Sequence, residues 1–243
     1  MRSGTGVGPG ICRKWRPARR GVLDIRGSLD NWLQWRLGRN SDSVLRRAVE
    51  RQHRRRHLGR TGVITTPRLV LRPWRQSDRP LFAEQNADPE VMRFLAGVLS
   101  RPQSDAYVER AEQHFAANGY CKWAVEAPGV SPFIGAVGLT RVKFDASFTP
   151  AVEVAWRLNR RFWGFGYATE AARASIEDGF YRVGLSEIVA MTVVGNVASL
   201  RVMERLGMTR SIGFDHPHFS ADSPLRRHVL YRVQQPARSQ ANR

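Results

Sequence analysis

From Thr65 onward, apolar and polar positions follow short regular periods, whereas residues 1–62 hold none that lasts beyond a brief stripe at Val44, Leu45, Ala48 and Val49. Arg68-Leu69-Val70-Leu71-Arg72 alternates as a short strand and stops at Pro73. Ser77-Asp78 opens a helix with Pro80 in its first turn, running to about Asn86, and a second short helix follows Asp88-Pro89. Ser104 opens a longer helix with Tyr107, Val108, Ala111 and Phe115 on one face, closed by Asn118-Gly119. Tyr120–Glu126, Phe133–Phe144 and Ala151–Leu158 then alternate as strands. They are separated by turn residues at Pro128-Gly129 and from Asp145 to Pro150, which predicts an antiparallel meander.

The cleanest helical period comes next. Ala171, Ala172, Ser175, Ile176, Gly179, Phe180 and Val183 form a single stripe, in a helix predicted to begin near Ala168-Thr169-Glu170. A strand over Glu187–Val194, a helix over Ala198–Leu206 stopped by Gly207, and strands at Met208–Phe214 and His228–Val233 complete the pattern. The fold class is mixed α/β rather than a regular βαβ repeat.

Composition narrows the class. The chain has 243 residues, 42% of them hydrophobic, with seven Trp, which is enough to bury a core. The longest apolar run, Ile188 to Gly195, is strand-sized, so neither a membrane span nor a membrane partner is expected. The Arg-rich start lacks the apolar segment of a secretory signal, and two Cys (Cys12, Cys121) exclude a disulfide framework or a four-Cys zinc site. A cytoplasmic protein, monomer or homodimer, is expected.

The net charge of +18 divides unevenly. Residues 1–62 hold 16 Lys+Arg against 4 Asp+Glu, and residues 63–243 hold 23 against 17, giving +12 and +6. Of the 39 basic residues only Lys14, Lys122 and Lys143 are Lys, a skew that follows from GC-rich codons as readily as from phosphate binding. Residues 1–62 therefore form a basic, disordered extension with three readings. It is an arm for RNA or an acidic partner, a transit peptide, or sequence upstream of a start near Val63. Any nucleic-acid contact would run through it. A domain is expected over 63–235, and a disordered tail over 236–243.

The candidate chemistry lies between the strand ending at Leu158 and the following helix. Trp163-Gly164-Phe165-Gly166-Tyr167-Ala168-Thr169 presents free backbone N–H groups at a helix N-terminus, with no side chains at Gly164 and Gly166 to keep an anion away. This is a pyrophosphate cradle. A Walker loop is excluded because no Gly-Lys-Ser/Thr follows, and a dinucleotide fingerprint lacks its third Gly.

A second motif, Asn196-Val197-Ala198-Ser199-Leu200-Arg201-Val202-Met203-Glu204-Arg205-Leu206-Gly207-Met208, lies about 30 residues on. With Thr66-Pro67-Arg68-Leu69-Val70-Leu71-Arg72 and Phe162 to Ala171, it makes residues 65–234 resemble the GNAT N-acetyltransferases, in the branch similar to ribosomal-protein-alanine N-acetyltransferases. Trp163 stands where the wider family has Gln or Arg.

The resemblance implies a mostly antiparallel sheet splayed between two parallel strands, with acetyl-CoA as co-substrate. Pyrophosphate would sit on the amides of Trp163, Gly164, Phe165, Gly166, Tyr167, Ala168 and Thr169, and pantetheine would run along Trp156 to Leu158. A backbone N–H near Leu158 would polarise the thioester carbonyl, and Asn196 would orient pantetheine or the amine. Many relatives carry a Tyr four residues past the Ser position, but Met203 holds that place here and no Tyr lies in Asn196–Gly207. Ser199 or a water is then the proton donor, unless Ser199 merely caps its helix. Glu153 is the candidate base, acting through water, unless it pairs with a neighbour such as Arg157. The implied reaction moves acetyl to a primary amine, either a protein N-terminus or a small molecule, by direct attack in a ternary complex. A CoA-binding regulatory module without turnover and an RNA- or ribosome-binding protein acting through 1–62 are the alternatives.

His216, His218 and His228 lack zinc spacing, so no metal is expected, and substrate-loop or structural roles fit them better. Cys121 is expected to be buried. Trp74, Trp123, Trp156 and Trp163 are expected in the core or the cleft wall.

Overall fold

The computed structural model describes residues 62–236. The expectations for the basic extension up to residue 61 and for the tail from residue 237 lie outside the described residues. Eight strands form one sheet: β1 (Ile64–Thr65), β2 (Val70–Arg72), β3 (Lys122–Ala127), β4 (Ser131–Arg141), β5 (Val152–Leu158), β6 (Glu187–Val193), β7 (Thr209–Asp215) and β8 (Arg227–Gln234). Their spatial order is β1-β2-β3-β4-β5-β6-β8-β7. Every neighbouring pair is antiparallel except β5 and β6, which are parallel.

The helices are α1 (Asp78–Ala87), α2 (Pro89–Met92), α3 (Arg101–Asn118), α4 (Tyr167–Asp178) and α5 (Val197–Arg205). The α4 stripe buries Ala171, Ala172 and Ile176 in the main core with Val154, Leu158, Ile188 and Met203. A π-turn over Gly179–Val183 prolongs α4. Gly179 is small because a Cβ there would lie 2.7 Å from Leu139 and 2.9 Å from Ile188. On the opposite face of the sheet, α1 and α3 supply Phe82, Val108 and Ala111, which pack with Trp74, Ala124, Phe133 and Ala136. A third cluster, Phe148, Val189 and Leu230, is joined by Phe144, Met191 and Phe214.

Three local expectations are corrected. The strand expected over Arg68–Arg72 begins only at Val70, because a turn in which the Thr66 N–H donates to the Leu69 carbonyl at 2.9 Å separates β2 from β1. Ser77 makes no side-chain cap, and Asp78 instead accepts the Arg75 N–H at 2.7 Å. α3 begins at Arg101 rather than Ser104, because Ser100 and Gln103 form a reciprocal capping box. Ser104 is buried and accepts from Asn86 at 2.8 Å. As expected, Trp74 and Trp123 are core residues; Trp163 is 46% exposed, at the end of β5.

Candidate active site

β5 and β6 share one register pair, Glu153 with Val189, although each strand runs on for several residues. Beyond that pair the strands part into a wedge. α4 follows β5 and α5 follows β6, so both helix N-termini lie at the carboxyl ends of the parting strands, where anionic groups are favoured.

The first of these N-termini is built by the Gly turn. Gly164 has φ 83° and Gly166 φ 79°, left-handed values that side-chain-bearing residues rarely adopt. A Cβ at Gly164 would meet nothing within 4 Å, so the space above it is open to a ligand. The amides of Gly164 to Thr169 donate to no acceptor among the described residues. The Trp163 amide, expected in the same cradle, donates to the Arg160 carbonyl at 3.1 Å. The Trp163 indole N–H donates to the Leu158 carbonyl at 2.9 Å and closes the loop against the end of β5.

A clamp absent from the sequence reading holds this turn. Arg68 donates to Glu170 at 2.6 Å and to the Phe165 carbonyl at 3.0 Å, and its guanidinium lies 4.9 Å from the Tyr167 ring centroid. The other carboxylate oxygen of Glu170 accepts from the Thr66 hydroxyl at 2.7 Å and from the Arg68 amide at 3.0 Å. Both motifs were visible, but their contact spans about a hundred residues and has no local signal.

At the second N-terminus Asn196 is the cap: its Oδ1 accepts the Ser199 N–H at 3.2 Å, and its Nδ2 donates to the Thr192 hydroxyl at 3.0 Å. The Asn196 side chain is thereby engaged within the protein. Ser199 does not cap, and its half-buried hydroxyl has no partner among the described residues. Met203 is 1% exposed and belongs to the core, not the wedge.

The two faces of β5 have different environments. Val152, Trp156 and Leu158 pack with the α4 core. Glu153 and Arg157 point the other way. Lys122 donates to Glu153 Oε1 at 3.2 Å, so the pairing partner is this lysine and not Arg157. Lys122 lies 5.9 Å and Arg157 5.2 Å from the Tyr107 ring centroid, and Arg157 donates to Asn86 Oδ1 at 2.7 Å. Burial alone would lower the Lys122 ammonium, but Tyr107 and Glu153 carry it above its ordinary value. Burial pulls the Arg157 guanidinium below its ordinary value, with Tyr107 opposing. Gln85 of α1, fully buried, donates to the Arg157 carbonyl at 3.0 Å.

Beyond them lies a ring cluster in which His216 stands 4.8 Å from His228 and 4.5 Å from Phe144. Burial, then the neighbouring imidazoles of His228 and His218, push His216 down to about 4. Among the described residues no group of three or more His, Cys, Asp or Glu is arranged to hold a metal ion. No helix among them is long and apolar enough to cross a membrane. Cys121 is 2% exposed, and burial pushes its thiol well above the ordinary range.

A wedge between two parallel strands, with a free-amide turn and two helix N-termini at its mouth, fits a ligand that carries a pyrophosphate. The family model of the acetyltransferase (GNAT) domain matches residues 68–209, more than half of the chain, and the chain belongs to that family. The chain is 31% identical over 146 residues to the uncharacterized protein YkkB of Bacillus subtilis, covering 60% of this chain and 84% of YkkB. It is 32% identical over 155 residues to an Aspergillus fumigatus FsC-acetyl coenzyme A-N(2)-transacetylase, covering 59% of this chain and 63% of that protein.

Among solved structures, a GNAT acetyltransferase from Bacillus anthracis superposes with TM-score 0.58 at 26% identity, covering 71% of this chain and 98% of that one. RimL, a ribosomal L7/L12 alpha-N-protein acetyltransferase solved with coenzyme A, shares the fold at TM-score 0.58 and 17% identity, covering 71% and 97%. The protein is an acetyl-CoA-dependent acetyltransferase with the mixed α/β fold of its family.

Proposed function

We propose that the domain over 63–235 transfers acetyl from acetyl-CoA to a primary amine by direct attack in a ternary complex, with no covalent enzyme intermediate. One observation carries this: the unspent amides of Gly164 to Thr169 stand at the mouth of the β5–β6 wedge, beneath open space at Gly164. These residues fit a pyrophosphate, and Trp156 to Leu158 form the strand edge along which pantetheine would lie. Bound acetyl-CoA supplies an activated acyl thioester.

The chain's own residues divide the remaining work. A backbone N–H near Leu158 donates to the developing oxyanion. Ser199, with its hydroxyl free, or a water bound to it, passes a proton to the leaving sulfur and is reprotonated by water. Asn196 acts indirectly, by fixing the first turn of α5 on which Ser199 sits. Glu153 accepts the amine proton through water by way of Oε2, since Lys122 occupies Oε1. A free α-amine near pKa 8 needs little help, whereas a Lys side chain near 10.4 needs more. The amine is therefore an α-amine, of a protein N-terminus as the name of RimL suggests, or of a small molecule as that of the N(2)-transacetylase suggests.

The test is release of free thiol from acetyl-CoA by the purified chain, offered Ala- and Ser-initiated peptides beside a panel of small α-amines. Acceptor-dependent release, with the acetylated amine recovered, supports the proposal. CoA binding without release on any acceptor contradicts it.

A further inference from the structure

Cations in the layer between the sheet and helices α1 and α3 come with carboxylates. Arg72 is bound by Asp78 and Glu126, Arg79 by Asp105, Glu109 and Glu112, and Lys122 by Glu153. Arg157 breaks the rule. Its guanidinium has one hydrogen-bond acceptor, the neutral Asn86 Oδ1, and otherwise lies against the rings of Tyr107 at 5.2 Å and Phe82 at 5.9 Å. No carboxylate among the described residues lies within ion-pair distance of it.

The remaining donors of Arg157 are not sealed away. The buried side-chain polar atoms without a partner are Gln85 Oε1, Asp105 Oδ1 and His114 Nε2, among the described residues. Arg157 Nε and Nη2 and the Tyr107 hydroxyl, none of which bonds anything among the described residues, are not among them, so each keeps some solvent exposure. Asn86 is itself held by Ser104 at 2.8 Å, which fixes the guanidinium in place. Arg157 is adjacent in sequence to Leu158, where β5 has parted from β6, and it points to the same face as Glu153.

A rigidly held, partly desolvated guanidinium with two unused donors and an adjacent free phenol matches a carboxylate, whose two oxygens accept the planar fork. We propose that Arg157, assisted by the Tyr107 hydroxyl, binds a carboxylate of the acceptor, so that the amine acetylated here belongs to a small amino acid-like molecule rather than to a neutral peptide N-terminus. This rests on the transferase assignment above and narrows its acceptor. A peptide N-terminus offers an amide where such a molecule offers an anion, and would leave the Arg157 charge unanswered.

The experiment measures binding to the full chain loaded with CoA, by calorimetry, for the N-acetylated proteinogenic amino acids and the matching carboxamides. The expected result is that at least one acid binds about tenfold or more tighter than its amide, as a charge-assisted contact provides. That preference should vanish in Arg157→Gln and return in part in Arg157→Lys, while the melting temperature of both stays within a few degrees of wild type. If no acid exceeds its amide, including the case in which neither binds, the proposal is overturned. It is also overturned if the preference survives in Arg157→Gln. A chain that fails to bind CoA at all would instead count against the transferase assignment. The Arg157→Lys arm and the melting temperatures separate loss of the receptor from loss of the fold.

Discussion

Arg68 and Glu170 meet at 2.6 Å across the sequence and join the N-terminal hairpin to the first turn of α4. The same Arg68 reaches the Phe165 carbonyl at 3.0 Å, inside the Gly turn itself. The amides that would receive a pyrophosphate are therefore held from outside the loop, by a residue of the segment between β1 and β2.

Breaking this clamp should loosen the cradle before it harms the fold, because Arg68 is half exposed while the α4 core beneath is not. Glu170→Ala removes the partner of the Thr66 hydroxyl, the Arg68 amide and its guanidinium together. The expected outcome is CoA affinity lower by about tenfold, roughly 1.4 kcal/mol, measured by calorimetry. The melting temperature should move by only a few degrees. Unchanged affinity would show that the turn holds its shape without the clamp.

At Gly164 the required φ is 83°, and a Cβ meets nothing. Gly164→Ala should destabilise the chain by about 1 kcal/mol through backbone strain alone. It should also weaken CoA binding, because the methyl group occupies the open side of the turn. Parallel denaturant titrations with and without CoA separate the two effects.

The Arg72–Asp78 pair lies under β2 and α1 with side chains 4% and 2% exposed. Burial alone would lower the Arg72 guanidinium, but hydrogen bonds to Asp78 and Glu126 carry it above its ordinary value. Asp78→Ala removes the bidentate, buried partner of this charge and leaves only Glu126 and the Pro132 and Pro73 carbonyls, with a loss of about 3 kcal/mol in unfolding free energy by urea titration. A loss below 1 kcal/mol, measured the same way, would mean that Glu126 and the Pro132 carbonyl suffice for Arg72.

The His216 imidazole, pushed from 6.5 to about 4 by burial and by His228 and His218, links stability to acid. Below about 6.5 the unfolded chain takes up a proton that the folded chain refuses until about 4, so stability falls as the pH drops through that window and is flat above it. His228 and His114, lowered chiefly by burial, act in the same direction. The urea midpoint should fall between about pH 7 and pH 4, with a shallower slope in His216→Phe.

Much of this architecture was legible in the sequence. The α4 stripe and the Gly turn could be found because helical period and left-handed Gly act within a few residues, and the motif at Asn196 because it resembles the family's. The turn that delays β2 to Val70 was hidden, since Thr66-Pro67 reads as extended chain until Leu69 is seen accepting its turn bond. The start of α3 was readable: Ser100 and Gln103 have capping-box spacing, but Ser104 is nearer the apolar face and drew the boundary. The pairings that shape the acceptor side, Lys122 with Glu153 and Asn86 with Arg157, join residues 31 and 71 apart. They follow from sheet register and helix docking, which spacing along the chain does not encode.

The most direct test of acetyl transfer through this wedge is steady-state kinetics of thiol release for the wild-type chain and Ser199→Ala, with the best acceptor from the α-amine panel. Ser199→Ala should lower kcat on the order of 10²-fold while leaving the KM for acetyl-CoA unchanged, because the hydroxyl has no partner in the fold and Asn196 still caps α5. Wild-type rates in Ser199→Ala would remove Ser199 as proton donor. No acceptor-dependent release from the wild-type chain would contradict the transfer itself.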